Sequence, residues 1–113
     1  MKITNSKLAS YAMLDEMYRD SYFPKAQVNK VKAILVELCV QIEAQKPKDA
    51  TGLFKLTHAA VEKINGLQEK FEENDSELET GAREAIAANF DYIVKAYGFT
   101  DLDIEDVIAP REW

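Results

Sequence analysis

A chain of 113 residues has room for one domain and falls short of two. Its 47% hydrophobic and 30% charged content excludes a disordered chain, and a net charge of −6 argues against binding nucleic acid through its phosphates. One cysteine, Cys39, excludes an internal disulfide framework and sits where a small buried hydrophobe is expected.

The first residues, MKITNSKLASYAML, lack the continuous apolar core of a signal peptide, and no run approaches the length that spans a bilayer. A soluble, cytoplasmic protein with no membrane contact is therefore expected. Thr4, Asn5 and Ser6 offer caps for a first helix, and Leu8, Tyr11, Leu14 and Tyr18 follow at helical spacing to about Arg19. Pro24 disfavours the helical conformation at Phe23, so this helix must end before it.

The stretch Pro24–Gln45 carries the longest apolar seam: Val28, Val31, Leu35, Leu38 and Ile42, widened by Ile34, Val36 and Cys39. Pro47 imposes a stop on Lys46. Asp49 or Thr51 then caps a third helix with the seam Leu53, Leu56, Ala60, Ile64, Leu67 and Phe71, in which Gly66 is a weak point. Ser76 and Glu79 form a capping box for a fourth helix carrying Leu78, Ala82, Ile86, Phe90, Ile93 and Tyr97. Gly98 is its natural terminator, with Phe99 placed to pack back on the last turn. Thr100 or Asp101 starts a short fifth helix that Pro110 closes. No segment alternates with a strand's period. The expected fold is all-α: a single-domain antiparallel bundle of four main helices plus a short C-terminal helix.

Charge is distributed unevenly. Residues 1–48 hold eight Lys/Arg against five Asp/Glu, a balance of +3, and residues 49–113 hold six against fifteen, a balance of −9. An acidic bend gathers Glu69, Glu72, Glu73, Asp75, Glu77 and Glu79. Glu77 and Glu79 suit the positive start of the fourth helix, whereas Glu72 and Glu73 oppose the dipole at the end of the third. That local conflict leaves two readings, a solvated turn and a docking surface for a basic partner. The aromatic elbow Tyr18–Pro24 holds Tyr18, Arg19, Tyr22 and Phe23, residue types that serve equally to cap a core and to recognise a partner. Trp113 reads as an anchor onto its own domain, with a homodimer through the C-terminal segment as the competing idea.

His58 and Glu62 share a helix face. With one histidine in the chain and lysine at position 55, the Glu-x-x-His pairs of bundle metal sites are absent, and no metal or other cofactor is expected. No catalytic motif is present.

Several phrases taken together, MLDEMYRDSYFPK, KAILVELCVQIEAQKPK, LTHAAVEKIN, FEEN and the ending DIEDVIAPREW, resemble a family of small bacterial proteins grouped as a domain of unknown function. The resemblance spans about Tyr11 to Trp113. It implies a single helical bacterial domain and carries no activity or site residue with it. The functional expectation therefore rests on the residues. The leading one is a non-enzymatic protein–protein interaction module, in one version immunity- or antitoxin-like, meeting a basic partner through the acidic bend or the elbow. The alternative is a small-molecule binder or an unrecognised enzyme, with His58 and Glu62 beside a pocket between helices.

Overall fold

The computed structural model describes residues 3–11, 13–19, 23, 25–73 and 80–113, with the side chains at 16, 69–73, 80 and 81 outside that description. The described residues form helices and no strand. In chain order they are α1 (Ser6–Ala9), α2 (Asp15–Arg19), α3 (Lys25–Gln45), α4 (Ala50–Glu73), α5 (Thr80–Ala96) and α6 (Ile104–Val107).

The all-α expectation holds, but the described helices are three long and three short rather than four main and one short. The first expected helix is broken between α1 and α2. Leu14 adopts a left-handed backbone (φ 59°), which no continuous helix allows. The reason lies in packing. In an unbroken helix Leu8 would stand roughly 120° or more around the axis from Met13, Leu14 and Met17. The break lets all four side chains enter the core, where each is at most 3% exposed.

The long helix α3 follows its seam closely. Val28, Val31, Leu35, Leu38, Cys39 and Ile42 are buried, and Ile34 and Val36 are half-buried at the edges of the stripe. Lys46 ends it with a left-handed backbone (φ 48°). The four-residue link to α4 then folds the chain back along α3, and Asp49 caps α4 by accepting the Gly52 N–H at 2.9 Å. On α4 the buried face is Leu53, Thr57, Ala60, Val61 and Ile64, so Leu56 lies at its margin rather than its centre. Gly66 is exposed with open space around it. Gly66→Ala should therefore raise the unfolding free energy by about 1 kcal/mol, read from urea denaturation.

Ser76, Leu78 and Glu79, expected to open the fourth helix, lie outside the described residues. From Ala82 onward α5 buries Ala82, Ala85, Ile86, Phe90, Ile93 and Val94. It ends in a Schellman turn: Gly98 has φ 96°, its N–H donates to the Lys95 carbonyl, and the Phe99 N–H donates to the Val94 carbonyl. Past this turn residues 99–103 are irregular, and helix geometry resumes at Ile104. The cap of α6 is consequently Asp103, whose carboxylate accepts the Glu105 N–H at 2.9 Å, and not Thr100 or Asp101.

The C-terminal segment is clasped from α4 by two side chains seven residues apart. His58 Nε2 lies 2.8 Å from the Asp106 carbonyl oxygen; a carbonyl only accepts, so this nitrogen carries the proton. Asn65 donates from Nδ2 to the Pro110 carbonyl at 3.1 Å and accepts the Glu112 N–H on Oδ1 at 2.9 Å. Beyond them Trp113 is buried against its own fold, with the Arg111 guanidinium 5.7 Å from its ring centroid.

Candidate functional site

Of the candidate site residues singled out from the sequence, the described ones fall on α2, on α4 and at Phe23. Glu69, Glu72 and Glu73 fall in the last turns of α4, where only the backbone is described, and Asp75 lies outside the described residues, as does Tyr22. Within the elbow, Phe23 turns into the core. Tyr18 lies half-buried against α3: its hydroxyl donates to Asn29 Oδ1 and its ring faces Lys32 Nζ 5.9 Å away. Burial raises the pKa of that hydroxyl. Arg19 points outward and pairs with Asp15 at 2.8 Å. His58 stacks on Phe54 with ring centroids 5.3 Å apart and is committed to α6, while Glu62 is exposed. Among the described residues no group of His, Cys, Asp and Glu is arranged to hold a metal ion.

Two other constellations emerge. The first is a cleft of about 500 Å³ between the break after α1, the start of α2, and α5. Its walls are Tyr11, Leu14, Asp15, Glu84, Ala85, Ala88 and Asn89. Asn89 builds it. This asparagine is 4% exposed on the apolar face of α5, and its Oδ1 accepts the Leu14 N–H at 3.2 Å. Its Nδ2 donates to the Ala85 carbonyl at 2.6 Å, which fixes the amide's orientation. The left-handed turn at Leu14 is thus held by one buried side chain from another helix. A non-glycine residue held in this region costs on the order of 1–3 kcal/mol, and such strain gathers at functional sites. At the rim Tyr11 stacks on Tyr92, centroids 4.0 Å apart and rings 10° from parallel. Tyr92 is the exposed large hydrophobic side chain among the described residues. The cleft offers two carboxylates, stacked aromatic faces and an apolar floor.

The second centres on Glu43, near the end of α3. Its carboxylate accepts the Thr4 N–H at 2.9 and 3.1 Å, the Thr4 hydroxyl at 2.6 Å, the Asn5 N–H at 3.2 Å and the Tyr97 hydroxyl. Burial alone would raise this carboxyl, but these donors outweigh it and hold it at about 2. Burial, reinforced by the Glu43 carboxylate, pushes the Tyr97 hydroxyl up. Burial also pushes the neighbouring Cys39 thiol up to about 12, with the Tyr97 hydroxyl acting against the shift. A carboxylate this acidic is a poor general base and a thiol this basic a poor nucleophile; the hydrogen bonds of Glu43 tie α3 to residues 4 and 5 and to the end of α5.

Sequence reasoning passed over Asn89, Glu84, Asp15, Tyr92 and Glu43. A signal existed for Asn89, a polar residue placed among Ile86, Phe90 and Ile93 on an apolar face. None existed for Glu43, whose partners come from residues 38 to 54 positions away.

Fold and cleft together define an all-α protein in which two short helices lie across longer ones and leave an acidic, tyrosine-rimmed opening. Residues 7–113 match a family model described as a family of unknown function (DUF5713), and the chain belongs to that family. No curated protein and no solved structure matches it. Among the described residues, no helix is long and apolar enough to cross a membrane.

Proposed function

We propose that the protein is a non-catalytic binding module whose recognition face is the cleft between α2 and α5, and that its partner is a protein offering a basic side chain. The observation that carries this reading is the pair Asp15 and Glu84 lining a cavity whose wall includes the Tyr11 ring, stacked in turn on Tyr92. A lysine or arginine side chain suits such a place. Its alkyl stem would cover the apolar floor, its charge would meet the carboxylates, and an aromatic face adds cation–π attraction. Arg19, already paired with Asp15 from the surface, shows the carboxylate within reach of a guanidinium. The overall charge of −6 would speed encounter with a basic partner. An immunity- or antitoxin-like role, covering a basic effector, is one form of this reading and draws on the same charge balance.

Titration of the full chain with a nonaarginine peptide, followed by amide NMR, tests it. Shifts should centre on Leu14, Asp15, Glu84 and Asn89. Asp15→Asn combined with Glu84→Gln should weaken binding about tenfold, the combined scale of two partly exposed charge pairs. Charge reversal at Glu72, Glu73 and Asp75 should leave it nearly unchanged. The opposite pattern would move the recognition face to the acidic bend and end this assignment.

A second reading, a small-molecule binder, is favoured by the cleft volume, which falls in the range that drug-sized ligands occupy. A thermal-shift screen of organic amines would support it if a rise in midpoint disappeared in Asp15→Asn.

A further inference from the structure

The chain's first described residues, 3–11, lie over α3 and α5 rather than within them, and they are held in an unusual way. One side chain in this stretch, Leu8, is fully buried; Ile3 and Tyr11 are half-buried. The helix it contains, α1, has four residues, too few to persist without support from its surroundings. Polar fastenings hold its first residues. Glu43 takes three donors from Thr4 and Asn5, and Asn5 Nδ2 donates to the Ala96 carbonyl at 3.0 Å, on the last turn of α5. At the other end the chain turns through the left-handed Leu14, anchored by Asn89.

Between these points the stretch is flanked by two cavities. A cavity of about 340 Å³ lies on its α3 side, lined by Ile3, Leu8, Met13, Lys32 and Val36 among others. The 500 Å³ cleft lies on its α5 side. Tyr11 lines both.

From this arrangement we infer that residues 3–11 form a strap that lifts as one unit about a pivot at Leu14, joining the two cavities on either side of Tyr11 into one groove. Lifting withdraws the buried Leu8 together with the half-buried Ile3 and Tyr11 from the core, opens the Glu43 and Asn5 contacts and separates Tyr11 from Tyr92. The Leu14–Asn89 bond stays made, and α3, α4 and α5 stay folded. Segments with few buried contacts open below the free energy of global unfolding, which is the regime this geometry describes. The inference goes beyond the binding reading and does not depend on it.

Native-state hydrogen exchange on the full chain tests it, because the pivot and the strap carry separate reporters. The Leu8 N–H donates to Asn5 Oδ1 and the Ala9 N–H to the Asn5 carbonyl, within the strap. The Leu14 N–H reports the pivot and the Leu35 and Leu38 amides report α3. In the wild type, Leu8 and Ala9 should exchange at least about tenfold faster than Leu14, and with weaker dependence on denaturant. Glu43→Gln raises the free energy of the closed state alone, so it should speed Leu8 and Ala9 about thirtyfold while the gap between them and Leu14 persists. Thr4→Val, which removes one donor, should give a smaller acceleration at the same two amides. Exchange of Leu8, Ala9 and Leu14 at one common rate, in the wild type or in either variant, would overturn the inference. The wild-type pattern decides the question even if Glu43→Gln does not fold.

Discussion

Asn89→Leu should lower the unfolding free energy by about 3 kcal/mol. The substitution keeps the size of the side chain and removes the acceptor for the Leu14 N–H at a site where Leu14 and Asn89 are both buried. A buried donor left without a partner costs on the order of 1–3 kcal/mol, and the left-handed backbone at Leu14 then has nothing to offset it. Urea denaturation at neutral pH measures the change. If the turn is lost altogether, the dependence of stability on urea should also weaken, because less surface is buried in the native state. Asn89→Asp should do little better: its carboxylate could still accept from Leu14, but it cannot donate to Ala85 and would place a charge in the core. A loss below about 1 kcal/mol for Asn89→Leu would mean that the Leu14 amide finds another acceptor, and that the turn is fixed by packing alone.

The second large effect is expected at Glu43. Glu43→Gln should cost about 2 kcal/mol at pH 7, the scale of hydrogen bonds to a charged acceptor. For a domain of this size that corresponds to a fall in thermal midpoint of roughly 10 °C. Its pH dependence has a definite sign. The folded-state carboxyl, at about 2, lies below the ordinary value of 4.5, so its contribution is complete above pH 4.5 and is lost as the pH falls toward 2. Wild type and Glu43→Gln should therefore differ most at neutral pH and converge in acid. A constant gap from pH 7 to pH 3 would show that the carboxylate's charge is not what matters. Tyr97 acts at the opposite extreme. Its hydroxyl is raised in the fold, so its contribution is complete below pH 10 and lost as the pH rises beyond it, and Tyr97→Phe should remove that alkaline component.

These two residues also mark the limit of what could be read from the sequence. The helix α3 was legible because proline brackets it and its apolar residues recur on one face over about four turns, from Val28 to Ile42. The end of α5 was legible because a glycine followed by a phenylalanine has a specific backbone meaning. The break at Leu14 was not legible. Leu8, Tyr11, Leu14 and Tyr18 fit a helix locally, and what overrides that pattern is an asparagine 75 positions away. The same holds for Glu43, which reads as an ordinary surface carboxylate until residues from both ends of the chain meet at it. The candidate site is built at such meetings: Tyr11 with Tyr92, Asp15 across from Glu84. Local periodicity specifies elements, whereas a cleft depends on how distant elements are juxtaposed. The place of His58 was equally hidden: its Nε2 holds a peptide carbonyl 48 positions away, which no local pattern announces.

The way His58 and Asn65 grip the C-terminal segment has its own consequence. Both reach main-chain atoms, at Asp106, Pro110 and Glu112, and neither reads a side chain there. Such a grip measures spacing along the peptide and ignores identity. Exchanging the side chains at 106 or 112 should leave it intact, whereas inserting or deleting one residue between 106 and 110 would put the carbonyls out of step with two grips two helical turns apart. Selection acting here would tolerate varied letters and forbid a change in their number.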